Sequence, residues 1–122
     1  MKKILLVEDD KNLAALIQKK LEKEGYGLVV ASDGKDIPEL ARESRPDLVL
    51  LDIDLPYKNG VEVLKELRED EELASIPVII ISNSGSPVDI HRVRQLGVKD
   101  YLIKVDFNPD ELYRLVEQYL KR

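Results

Sequence analysis

Five short apolar runs set the framework of this chain: KILLV at 3–7, LVVA at 28–31, LVLL at 48–51, VIII at 78–81 and YLI at 101–103. Segments of helical period separate them. Each run is continuously apolar rather than alternating, which is the signature of strands buried on both faces, and strands that alternate with helices form parallel βα units. The spacing therefore predicts an α/β fold with a central parallel sheet and helices outside. At 122 residues, 43% of them hydrophobic and only one of them Phe, the chain suits one compact domain over residues 1–122 with an aliphatic core.

The helical segments carry their own start and stop signals. Asp10 is placed to cap a helix whose apolar face is Leu13, Leu16, Ile17 and Leu21, with Gly25 ending it. Asn59 and Glu62 have capping-box spacing before Val63, Leu64 and Leu67. Ser86-Pro87 and Asn108-Pro109 each put a cap residue before a proline at the first helical position, and the last helix is predicted to bury Leu112, Leu115, Val116 and Tyr119. Pro38 delays the second helix, because its missing N–H is tolerated only in a first turn; Asp36 is the expected cap. The run REDEELAS at 68–75 reads as a solvated helix end, and the lone His91 as a surface residue.

Charge and composition narrow the function. A net charge of −5 gives no support for electrostatic attraction to nucleic acid or to an anionic membrane. The absence of cysteine removes disulfides, thiolate metal sites and thiol nucleophiles. The apolar run in MKKILLVEDD is too short for a signal-peptide core, and no stretch approaches the length of a membrane span, so a cytoplasmic location is expected.

In an open parallel sheet all strands end at one edge, and ligands bind there. The first strand runs into Glu8 and Asp9, the third into Asp52, the fourth into Ser82 and Asn83, and the fifth into Lys104. Carboxylates so gathered raise one another's pKa unless a cation intervenes, and a hard divalent ion, Mg²⁺ or Mn²⁺, fits that need. A lysine and a hydroxyl beside such an ion suit a tetrahedral oxyanion, and a carboxylate is a competent phosphoryl acceptor. Asp52 is then the candidate nucleophile.

The segments ILLVEDD, DLVLLDIDLPYKNG, PVIIIS and DYLIK resemble, in that order and at matching spacing, the receiver domain of two-component response regulators. The resemblance implies a flavodoxin-like, doubly wound five-stranded sheet of order 2-1-3-4-5. It implies that Asp52 is phosphorylated by a sensor histidine kinase or a phosphotransfer protein, that Asp9 ligates metal directly and Glu8 mainly through water, and that the backbone carbonyl of Asp54 completes the ligands. Lys104 would pair with the phosphoryl group, Ser82 would be the switch hydroxyl, and Tyr101 the aromatic that moves with it. The surface that changes would be the fourth helix, fifth strand and fifth helix. With the chain ending one helix after Tyr101, output is expected through another protein or onward relay of the phosphoryl group, unless the sequence is an excised domain.

Four positions depart from the family: Val105 follows Lys104 where proline is usual, Asp54 is an extra acid, Asn83 replaces a small residue, and Ser82 replaces threonine. A trans Lys104–Val105 bond is expected, since a cis bond before a non-proline residue costs about 3–4 kcal/mol. Asp54 is expected near the water path to Asp52, as a charge, as a general base, or turned into solvent. Two rival functions stand beside this reading. LVLLDID also resembles the nucleophile motif of haloacid-dehalogenase-like phosphatases, although there the metal-binding acids follow the nucleophile. The other rival is a binding module that no longer uses phosphate.

Overall fold

The computed structural model describes residues 1–83 and 87–120. Five strands, β1 (Lys3–Val7), β2 (Gly27–Ala31), β3 (Leu48–Asp52), β4 (Val78–Ser82) and β5 (Asp100–Ile103), pair in parallel in the order β2-β1-β3-β4-β5. Between and after them lie α1 (Lys11–Lys23), α2 (Ile37–Ser44), α3 (Gly60–Glu69), α4 (Pro87–Gln95) and α5 (Pro109–Leu120). The predicted sheet order holds.

Strand alternation divides the core in two. Leu5, Val7, Val49, Leu51, Val78 and Ile80 face α2, α3 and α4, where Ile37, Ala41, Val61, Val63, Leu64, Leu67 and Val93 meet them. Ile4, Leu6, Leu48, Leu50, Ile79 and Ile81 face α1 and α5, against Ala14, Ile17, Leu21, Leu112 and Val116. Every residue of β3 and β4 is buried. Burying one such aliphatic side chain contributes about 1.5–3 kcal/mol, so these central strands anchor whatever stands at their ends.

Several local expectations hold. Asp10 Oδ1 accepts from the amides of Asn12 and Leu13 at 2.9 and 3.0 Å. Asn59 Oδ1 accepts from Val61 N at 2.7 Å, and Asn108 Oδ1 from Asp110 N at 2.9 Å. Gly25 has φ +96°, the left-handed conformation that stops α1. His91 is exposed, no cis peptide bond occurs among the described residues, and Lys104–Asp106 form a 3₁₀ turn where the family has lysine-proline. The Ser86 cap lies outside the described residues.

Three expectations are corrected. Leu16 is 47% exposed, because Ala14 rather than Leu16 completes the buried stripe with Ile17 and Leu21. α2 does start late, yet Asp36 takes a left-handed φ of 56° and makes no side-chain cap, a conformation that turns its carboxylate away from the first-turn amides. The run at 68–75 is not simply solvated. Leu73 is in the core, and Arg68 donates to the carbonyl oxygens of Leu96 at 2.7 Å, Ile76 at 2.8 Å and Ala74 at 3.2 Å. Burial depresses the guanidinium pKa, but these three carbonyls replace its water.

Candidate functional site

The site stands on the carboxyl ends of the central strands. β1 is prolonged by Glu8 N donating to Ala31 O at 2.9 Å, and β3 by Ile53 N donating to Ile81 O at 3.0 Å, so the ladder fixes the chain on both sides of Asp52. Asp52 itself pairs with Ile81, and Ser82 with Ile103 just before Lys104. α3 closes over this edge at Gly60, whose amide donates to Ile53 O at 2.9 Å. A Cβ at Gly60 would stand 2.4 Å from Asp52 O and 2.5 Å from Ile53 Cα, so only glycine permits the approach.

One carboxylate oxygen from each of Glu8, Asp9 and Asp52 lies within 4.8 Å of the others. Glu8 and Asp52 are buried, and Asp9 is exposed at the rim. Lys104 Nζ stands 3.0 Å from Glu8 Oε2 and 3.0 Å from Asp52 Oδ2. Glu8 Oε2 also accepts from Asp10 N at 2.9 Å, and Asp52 Oδ1 accepts from Asp54 N at 2.8 Å.

The electrostatics follow from this crowding. Burial pushes the Asp52 carboxyl up to about 7; the Asp54 amide and Lys104 oppose that rise, while Asp9 and the charge of Glu8 add to it. Partial desolvation at the rim acts to raise Asp9, but hydrogen bonding with Asp52 and Glu8 outweighs it and leaves Asp9 below the ordinary carboxyl value. The crowding thus favours the neutral form of Asp52 and the ionised form of Asp9. Burial would lower Lys104, yet its bonds to Asp52 and Glu8 raise it, which keeps the ammonium charged.

A divalent cation fits this donor set. Three carboxylates face a single ammonium, an excess of negative charge in a partly desolvated cleft, and all the donors are hard oxygens. Glu8 Oε1 is buried and takes no hydrogen bond, whereas its other oxygen is doubly engaged. A buried carboxylate oxygen is costly to leave without a partner, and a cation or its bound water supplies one.

Ser82 is buried at the same rim, beside Asp54 rather than turned to Asp52. Its Oγ donates to Asp54 Oδ2 at 3.0 Å, and Asn83 N donates to the same oxygen at 2.8 Å. Tyr101 reaches Ser82 from β5: burial raises the phenol's pKa, and a hydrogen bond with Ser82 opposes the rise. Ser82 therefore links Asp54 to Tyr101. The carboxylate of Asp54 is outside the three-acid cluster; it is exposed, with Oδ2 engaged by Ser82 and Asn83.

Residue types and strand ends suffice to bring together Glu8, Asp9, Asp52, Ser82 and Lys104. They do not disclose the bonds from Ser82 and Asn83 to Asp54, nor the second contact of Lys104 with Glu8. The only sequence signal for the first is an acid two positions past a strand end, and which way it turns is decided by the loop, not by any periodicity.

Comparison with known proteins accords with this geometry. The family model described as "Response regulator receiver domain" matches residues 4–117. The chain is 42% identical to the transcriptional regulatory protein CpxR of Escherichia coli K12 over all of its own length and 50% of CpxR, and it spans about half the length of the curated relatives it matches. Among solved structures it resembles the BeF3-activated N-terminal receiver domain of Klebsiella pneumoniae RstA, with TM-score 0.86, 31% identity, and 99% and 100% of the two chains covered. It also resembles the Mn²⁺-bound response regulator Rcp1, with TM-score 0.78, 32% identity, and 97% and 91% covered. The phosphatase and phosphate-independent readings find no such support. Five parallel strands in the order 2-1-3-4-5, acids at the ends of β1 and β3, and a match over nearly the whole chain lead to one conclusion: the chain belongs to the response regulator receiver domains, the phosphoacceptor signalling domains of two-component systems.

Proposed function

We propose that Asp52 is the acceptor, taking a phosphoryl group from a histidine kinase or a phosphotransfer protein. The observation that carries this is the setting of its carboxylate: buried at the end of β3, with Lys104 Nζ on one oxygen and the Asp54 amide on the other. Both donors hold the group in one orientation, which lowers the entropic part of the barrier. A carboxylate oxygen of Asp52 attacks phosphorus, the phosphorus–nitrogen bond of a phosphohistidine breaks, and the imidazole nitrogen keeps the electron pair. Lys104, already charged, offsets charge on the transferring oxygens.

Asp9, Asp52 and the backbone carbonyl of Asp54 are the residues assigned to hold Mg²⁺ or Mn²⁺, with Glu8 acting through water. When bound, the ion neutralises the phosphoryl oxygens and favours ionised Asp52. Rcp1, which the chain resembles, is described in its Mn²⁺-bound form, and this supports the assignment.

Ser82 and Tyr101 are the assigned switch pair. Phosphorylation adds roughly −1.5 to −2 charges and new acceptor oxygens. These draw on the Ser82 hydroxyl, and Tyr101, which bonds Ser82, follows. The surface so altered comprises α4, β5 and α5, and we assign it to protein partners rather than nucleic acid or membrane. Among the described residues no helix is long and apolar enough to cross a membrane.

Acetyl phosphate and Mg²⁺, followed by intact mass, test the acceptor. One added phosphoryl group is expected on wild type, none on Asp52→Asn, and a much reduced yield on Lys104→Ala. An unmodified wild type, or a label that persists in Asp52→Asn, overturns the assignment.

A further inference from the structure

Two donors converge on a single anionic oxygen at the rim of the site. Ser82 Oγ and Asn83 N both point to Asp54 Oδ2, at 3.0 and 2.8 Å, while the amide of Asp54 is fastened to Asp52 at 2.8 Å. A hydroxyl and a backbone amide that share one acceptor form a small oxyanion-binding pocket. In this chain the pocket is filled from within. Asp54 is exposed apart from these bonds, so no packing requirement accounts for its orientation.

We propose that Asp54 is a positioning residue that competes with the phosphoryl group for Ser82 and Asn83: its carboxylate occupies the donors in the unmodified domain, and modification of Asp52 must displace it. This rests on the assignment of Asp52 as acceptor and adds to it a threshold set by the chain's own side chain. Hydrogen bonds to ionised acceptors are about twice as strong as neutral ones, so the carboxylate is a real competitor. The amide of Asp54 stays on Asp52 in either state, and only the side chain has to swing out to solvent. Tyr101 is drawn into the same exchange, since it bonds the hydroxyl for which the two anions compete.

The competition differs from simple repulsion between Asp54 and an incoming anion, and the two are separable. Beryllium fluoride with Mg²⁺ serves as the phosphoryl mimic, with binding at Asp52 followed by fluorine NMR in wild type, Asp54→Ala, Asp54→Asn, Ser82→Ala and the Asp54→Ala/Ser82→Ala pair. Asp54→Ala is expected to bind about tenfold tighter than wild type, the order of one charge-assisted hydrogen bond. Asp54→Asn, which keeps an acceptor without its charge, should fall between. In the Ser82→Ala background the gain from Asp54→Ala should shrink severalfold, since one contested donor is gone. In the unliganded protein the Asn83 amide proton should move upfield in Asp54→Ala, a readout that loss of fold would not mimic because the remaining spectrum stays dispersed.

Equal affinity of Asp54→Ala and wild type, or an unmoved Asn83 amide, overturns the proposal. So does a gain that is the same in Asp54→Asn and undiminished in the Ser82→Ala background, which is repulsion alone. Wild-type binding with no effect of Asp54 leaves the acceptor assignment standing and rejects only the competition; absence of binding by every variant rejects both.

Discussion

Gly60 sits against Asp52 so closely that a methyl group placed on it would meet the Asp52 carbonyl oxygen at 2.4 Å. The obstacle is backbone, which cannot swing aside as a side chain can. Gly60→Ala is therefore expected to push the start of α3 away from the end of β3 and to lower stability by about 1–3 kcal/mol, the usual cost of overpacking. Urea unfolding with unchanged slope checks this. A wild-type midpoint would show that α3 is not seated as described.

The metal-free domain should lose stability as pH rises from about 4 to 7. Asp52 holds its proton to about pH 7 in the fold, against an ordinary value of 3.8, so the folded state binds that proton more tightly than the unfolded chain. The stabilisation is complete below 3.8 and is lost as pH passes through 7. At about 1.4 kcal/mol per unit, and allowing for relaxation around the charge, roughly 2–4 kcal/mol is at stake. Asp9 acts in the opposite sense, but only at lower pH: its depressed value gives stability present above 3.8 and lost below. Asp52→Asn should abolish the decline between pH 4 and 7 and exceed wild type at pH 7.5. A slope that survives the substitution would place the titrating group elsewhere.

Mg²⁺ should reverse that decline. A cation among Glu8, Asp9 and Asp52 removes the reason for Asp52 to stay protonated, and ligand binding at a hundredfold above Kd adds about 2.7 kcal/mol. Thermal unfolding at pH 7.5 should show a midpoint several degrees higher with Mg²⁺ than with chelator. Asp9→Asn should lose most of this increment, and Glu8→Gln part of it. An increment untouched by Asp9→Asn would move the ion away from the cluster.

Arg68 should prove structural despite its charge and its place in an acidic run. Its guanidinium ties the end of α3 to Leu96 beyond α4 and to Ala74 and Ile76 before β4. Arg68→Ala leaves the part-buried carbonyls of Leu96 and Ile76 unpaired and is expected to cost about 2–3 kcal/mol. Arg68→Lys should recover little, because one ammonium cannot reproduce a planar fork. The comparison of unfolding midpoints for the two variants decides it.

What is legible in the sequence, and what is not, divides along range. Continuous apolar runs and cap residues such as Asp10 and Asn59 act within a few positions, and they place strands and helices with little help from the rest of the chain. The gathering of Glu8, Asp9, Asp52 and Lys104, with Ser82 at the same sheet edge, follows from one further rule, that parallel strands end at a common edge. Contacts set by loop conformation do not follow from either. Arg68 reads as a solvated charge because nothing local shows that the chain folds back to offer it three carbonyls. Asp36 has the right residue type for a cap, yet its left-handed backbone turns it away. Asp54 meets Ser82 across 28 positions, at a distance no periodicity reports.

Asp52 and Tyr101 stand on strands of different rank. β3 is flanked by β1 and β4 and buried throughout, whereas among the described residues β5 has β4 as its sole neighbour in the sheet and every one of its residues is partly exposed. Opening β3 breaks two ladders and uncovers both halves of the core; opening β5 breaks one. Amide exchange would therefore grade the domain from a slow centre to a quick margin, with the proposed acceptor in the slow part and the proposed switch aromatic in the quick part. On the proposed assignment, a message written where the chain resists disturbance would be read where it yields most readily. A partner that gripped β5 and its flanking helices would thus need little free energy to favour one arrangement over another, and would leave the scaffold of the proposed acceptor untouched.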